Sequence, residues 1–87
     1  MKATLLYRVN SESERDARNF VTDFERQTGK KLAIYEVDSP EGNNLARLYD
    51  VVSYPAIIAQ ADDGSLLQLW QGSALPRISE VSFYVQD

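Results

Sequence analysis

With 87 residues, 44% of them hydrophobic and 25% charged, the chain has the make-up of one small globular domain over residues 1–87 with a modest core, and not of a disordered segment. It contains no cysteine and no histidine, which excludes disulfides, thiolate metal sites and thiol nucleophiles, and removes the commonest general base near neutral pH. The net charge of −4 argues against a nucleic-acid surface, and the pair Lys30-Lys31 is too short to reverse it.

Residues 3–9 read as a strand, with Leu5, Tyr7 and Val9 on one face. No apolar run reaches the roughly 20 residues needed to cross a bilayer. Polar residues interrupt the N-terminal segment before a signal core can form, so a cytoplasmic location is the default expectation. Residues 11–28 read as a helix. Ser11 and Glu14 have the spacing of a capping box, and Ser13 with Asp16 offers a second start. Ala17, Phe20, Val21, Phe24 and Thr28 recur at helical spacing as one buried stripe, and Gly29 supplies the left-handed stop. A second strand is expected over 31–38. Strand, long helix and strand in that order give a βαβ unit with parallel strands.

Residues 39–43, Ser-Pro-Glu-Gly-Asn, read as a loop by composition. A short helix over 44–50 would turn Leu45, Leu48 and Tyr49 inward. Pro55 disfavours helix at Tyr54. Strands follow at 56–60 and 65–71, joined by Ala61-Asp62-Asp63-Gly64, whose Asp-Gly pair marks a tight hairpin between antiparallel neighbours. Simple alternation puts Leu67 and Leu69 on one face and Leu66, Gln68 and Trp70 on the other. After a connector at 72–75, Pro76 suits the first turn of a last helix carrying Ile78, Val81, Ser82 and Val85 on one side.

The order β-α-β-α-β-β-α resembles the minimal thioredoxin-like fold, and several strings are similar to that family's. Ala46-Arg47-Leu48-Tyr49-Asp50-Val51 resembles its A-x-x-Y-x-(I/V) segment, Tyr54-Pro55-Ala56-Ile57-Ile58 its proline-led strand, and Trp70-Gln71-Gly72 the stretch after its hairpin. Gly72-Ser73-Ala74-Leu75-Pro76 resembles the approach to its last helix. The resemblance implies an α/β fold with a four-stranded mixed sheet flanked by helices. The strand at 31–38 would lie at one edge, followed by 3–9, 56–60 and 65–71. It also implies a cis peptide bond before Pro55, facing the site where the family carries a Cys-x-x-Cys pair. Counting back from Gly29, those two positions hold Asn10 and Ser13, and the family's buried acid falls near Thr4. The resemblance is therefore to a redox-inactive member, in which the backbone beside Pro55 could still pair with an extended peptide.

The candidate binding residues are Asn10, Ser11, Glu12 and Ser13 at the degenerate Cys-x-x-Cys position, with Tyr54 and Pro55 across the groove. Each has a plainer reading. The serines and Asn10 form an anion site on a helix N-terminus or merely cap it, and Glu12, Glu14 and Asp16 would repel an anion. Tyr54-Pro55 is a docking ridge or an inherited turn. Trp70 is an exposed interface anchor or a cover over the core. Asp62, Asp63 and Glu41 invite a metal but lack a nameable third ligand, so no metal, cofactor or catalytic residue is expected. Tyr7, Tyr35, Tyr49 and Tyr84 read as core-edge residues.

The leading expectation is a non-catalytic peptide- or protein-binding module with no nucleic-acid or membrane partner. An alternative is a glutathione-binding domain similar to the N-terminal half of a glutathione transferase, with Tyr7, Ser11 or Ser13 supplying a hydroxyl and Pro55-Ala56 and Ser73 echoing its glutathione-binding strings. A third is a structural subunit that associates with itself through a sheet edge or the last helix.

Overall fold

Ala56 to Gln60 are all buried, and the fold is arranged around this strand. The computed structural model describes residues 1–72 and 75–85. In chain order the elements are β1 (Lys2–Tyr7), α1 (Glu12–Thr28), β2 (Ala33–Glu36), α2 (Pro40–Leu48), β3 (Ala56–Gln60), β4 (Leu66–Gln71) and α3 (Ile78–Ser82). They form an α/β structure with one open, mixed sheet in the order β2-β1-β3-β4. β1 pairs parallel with β2 and antiparallel with β3, and β3 pairs antiparallel with β4. This is the strand order expected from the sequence.

The sheet alternates its side chains between two apolar layers, as a pleated strand must. Ala3, Leu5, Tyr7 and Ile57 meet Ala17, Phe20 and Phe24 of α1 and Val81 of α3. On the opposite side Leu6, Ala56 and Ile58 meet Ala46 of α2 with Val37 and Val51. The stripe read on α1 is therefore the one that packs, with Phe20 and Phe24 stacked at 6.2 Å. Thr28 closes the helix rather than filling the core. Its hydroxyl donates to Phe24 O at 2.7 Å and accepts from Lys30 N–H at 3.0 Å. Gly29 follows at φ +72°, the left-handed stop.

Several boundaries differ from the sequence reading. β1 ends at Tyr7 because the Arg8 N–H turns to the Ser13 hydroxyl, 3.1 Å away. β2 covers only 33–36, although its flanks Leu32 and Val37 are buried. The largest correction is at 39–43. This stretch opens α2 and is no loop. Ser39 accepts from Gly42 N–H at 3.1 Å, and Pro40 occupies the first turn, where its missing N–H costs nothing. Gly42 is a close-approach residue, since a Cβ there would lie 2.0 Å from Glu36 O.

Starting four residues earlier than expected, α2 presents Gly42 and Ala46 to the sheet and leaves Leu48 67% exposed. Leu48 lies two positions past Ala46, about 200° around the helix, so it cannot share that face. Asp50 takes φ +56° and the Val51 N–H returns to Ala46 O at 2.9 Å, closing the helix.

The hairpin forms as expected, with Gly64 at φ +89°. The Ser65 hydroxyl and its N–H both donate to the Asp63 carboxylate and hold its pKa below the usual value. In β4 simple alternation fails. Gln60 pairs with Leu66 and Ala59 with Gln68, so Leu67 has no partner on β3. This bulge moves Leu66 to the Leu69 side of the sheet. Trp70 is half-buried against the α1 layer and meets Tyr84 edge-on at 5.6 Å, which favours its role as a core cover.

Pro76 precedes α3 without entering it. Arg77 is the N-cap and donates its N–H to the Glu80 carboxylate at 2.9 Å. Of the four residues expected on one side of this helix, Val81 is the fully buried one, Ile78 and Val85 pack against the core only partly buried, and the helix ends at Ser82, before Val85. Ser73 and Ala74 of the connector, and with Ser73 its glutathione-string echo, lie outside the described residues.

Candidate functional site

The turn from β1 into α1 is held by a closed set of hydrogen bonds. Ser11 Oγ donates to Arg8 O at 2.6 Å and shares a hydrogen bond with Ser13 Oγ at 2.7 Å. Ser13 Oγ in turn accepts from Arg8 N–H. Neither serine caps the helix in the expected way. Ser11 makes no side-chain cap bond, and Glu14 reaches past it to the Asn10 N–H at 3.2 Å. The capping box is displaced because Asn10 adopts φ +59°, which directs the chain sharply into the helix.

Arg8 links this turn to the other half of the candidate site. Its guanidinium carbon lies 5.0 Å from the centre of the Tyr54 ring, within the range of a cation–π contact. The Tyr54–Pro55 bond is cis, as the resemblance implies. Pro55 is buried and its carbonyl accepts from the Gly72 N–H at 3.1 Å. Just upstream, Gln71 Oε1 accepts from the N–H groups of Val52 and Ser53 at 2.9 and 3.1 Å. Among the described residues nothing pairs with the backbone N–H or C=O of Tyr54.

A concavity of about 630 Å³ opens beside the turn, lined by Asn10, Ser11, Glu12, Arg15 and Asp16. Three of the six expected residues therefore line one surface. Ser13 lies behind it, 7% exposed, Tyr54 reaches the turn through Arg8, and Pro55 forms the floor of the strand start. Two carboxylates beside one guanidinium give the concavity no clear preference for an anion.

Three hydroxyls bear on the glutathione alternative. Ser11 and Ser13 are bonded as above, and buried Tyr7 accepts from Arg18 at 3.4 Å with that guanidinium 5.5 Å from its ring. Among the described residues no group of three or more carboxylates is placed to hold a metal, and no helix is long and apolar enough to cross a membrane.

Sequence reasoning missed Arg8, Arg15 and Gln71. A basic residue at the end of a strand facing an aromatic before proline is a signal that could have identified Arg8. Gln71 carries none, because its role depends on the register of β4 against β3.

No protein-family model, curated protein or solved structure matches this chain.

Proposed function

We propose that this chain is a redox-inactive, thioredoxin-like domain that binds an extended segment of a protein partner without catalysis. The fold part of this reading is supported by the strand order β2-β1-β3-β4, with its single parallel pair, and by helices on both faces of the sheet. The site part is carried by one observation. Tyr54 is clamped by Arg8, while its own backbone N–H and C=O have no partner among the described residues. A strand-like peptide laid beside Tyr54 would pair with these groups, and its side chains would enter the Asn10–Asp16 concavity.

Selection of random peptides displayed on phage, followed by NMR shift mapping, tests this reading. The expected outcome is a set of peptides whose shifts cluster on residues 8–13 and on Ser53 and Tyr54. Arg8→Gln and Tyr54→Ala should each weaken binding about tenfold, a loss of roughly 1.4 kcal/mol. Failure to enrich any peptide would sink the proposal, as would peptides that map to the outer edges of β2 or β4. Glutathione that shifts Ser11 and Tyr54 at millimolar concentration, where peptides do not, would replace it with the small-molecule alternative.

A further inference from the structure

The two outer strands of the sheet differ in charge. β2 is bracketed by it, with Lys30 and Lys31 before the strand and Glu36 and Asp38 at its far end. Charged side chains keep a strand edge from pairing with another chain. β4 has no such protection. From Gly64 to Pro76 not one residue is charged, although 25% of the chain is and its net charge is −4. Among the described residues β4 pairs with a strand on one side only, where it meets β3.

The ladder with β3 determines which backbone groups face the other side. The Gly72 N–H bonds to Pro55 O. Gln71, Trp70, Leu69 and Gln68 oppose Ala56, Ile57, Ile58 and Ala59. Antiparallel pairs alternate between bonded and non-bonded. Trp70 and Gln68 therefore turn their N–H and C=O toward β3, as Gly72 does, and Leu69 and Gln71 turn theirs away. A side chain agrees with this phase. The Leu69 N–H donates at 3.0 Å to Oε1 of its neighbour Gln68, as it can only where β3 does not take it. The Gln71 N–H and the Leu69 C=O have no partner among the described residues. Gln68 thus does for one amide what a neighbouring strand would do for the whole edge.

We propose that β4 pairs with β4 of a second copy of this chain, antiparallel about a two-fold axis at Trp70. Leu69 of each copy exchanges N–H and C=O bonds with Gln71 of the other, and the partner's carbonyl replaces the Gln68 amide on Leu69 N–H. Trp70 faces its counterpart in the non-bonded position between them. A hollow of about 250 Å³ beside Trp70, lined also by Gln68, Glu80, Phe83 and Tyr84, receives the partner's indole. Charge selects a second copy as the occupant. Neutral edge meets neutral edge, so pairing brings no like charges opposite one another, which a chain of net charge −4 otherwise risks. The contact also closes on itself. The bulge at Leu67 ends the regular ladder on one side, and Gly72, at φ +103°, ends it on the other. The combined sheet is left with β2 at both edges, where charge stops further addition.

So short a contact gives a weak dimer, with a dissociation constant on the order of 100 µM. Sedimentation equilibrium of the intact chain from about 10 µM to about 1 mM spans that constant. The mass should rise from that of one chain to that of two and go no further. In an equal mixture of isotope-labelled and unlabelled chain, filtered NOEs should connect Leu69 of one copy with Gln71 of the other. Gln68→Lys, at an exposed position, should raise the dissociation constant about tenfold or more with an unchanged far-UV CD spectrum. Lys31→Gln, on the opposite edge, should leave it within about twofold. A monomeric mass at every concentration would overturn the proposal. Growth beyond two copies, intermolecular NOEs through β2 or α3, or a folded Gln68→Lys variant that associates as tightly as the parent would overturn it as well. The mass and the NOEs of the parent chain decide the question without the variants.

Discussion

Gly42 and Ser39 show how individual residues set the shape of this molecule. Ser39 Oγ donates to Glu36 O at 2.7 Å and accepts from Gly42 N–H, so the strand end and the helix start share one hydroxyl. Gly42 is pulled against the same carbonyl. In an ordinary helix glycine-to-alanine gains up to about 1 kcal/mol. Here the new methyl would lie 2.0 Å from Glu36 O and 2.8 Å from Glu36 C, both backbone atoms that cannot swing aside. Gly42→Ala should therefore destabilise the fold by about 2–3 kcal/mol. Equilibrium urea unfolding reads this directly, and an unchanged or raised midpoint would show that the contact relaxes freely. The Arg8–Tyr54 contact and the Gln60–Tyr49 hydrogen bond belong to this scale too, as each depends on one side chain meeting one other group.

Among the elements, α1 and α2 differ in how much of their apolar surface is used. α1 inserts Ala17, Phe20 and Phe24 into the layer formed by Ala3, Leu5, Tyr7 and Ile57. α2 is shorter and makes contact chiefly through small residues, Gly42 and Ala46, with Leu45 and Tyr49 at the margins. A paired substitution separates the two cases. Phe24→Ala removes a ring that is 0% exposed and should cost about 3–5 kcal/mol. Leu48→Lys, at a position 67% exposed, should stay within about 0.5 kcal/mol of the parent. Comparison of thermal midpoints checks both, and a large loss at Leu48 would mean that α2 is rotated from the orientation described.

The whole molecule rests on its two central strands. β3 is paired on both sides and buried throughout, and β1 is likewise flanked by β2 and β3. Among the described residues β2 and β4 each pair with a strand on one side, and α3 has five residues with a single fully buried side chain. Local opening is easiest where buried apolar contacts are few. Native-state hydrogen exchange should find its slowest amides in β1 and β3, and much faster exchange in α3 and in β4 around the Leu67 bulge. Uniform protection across the chain would contradict this layering.

Much of this architecture was legible in the chain. The 3.6-residue period of Ala17, Phe20 and Phe24, the stop at Gly29 and the turn at Asp63-Gly64 are local signals that need no partner to act. The burial of Ala56 to Ala59 follows from their continuous apolar run. The sequence also established that catalysis could not use a thiol or an imidazole. Only the tertiary structure decided the rest, because it turned on contacts between segments distant in the chain. Pro40 and Gly42 read as a loop until the nearness of Glu36 O shows why glycine stands inside a helix. Leu66 changes face through a slip in pairing with β3. Arg8 reaches Tyr54 across more than half the chain, and the Gln60 amide meets the Tyr49 hydroxyl from another element. A periodic pattern is written by neighbours along the helix or strand, whereas a site is assembled by long-range packing that no single segment encodes.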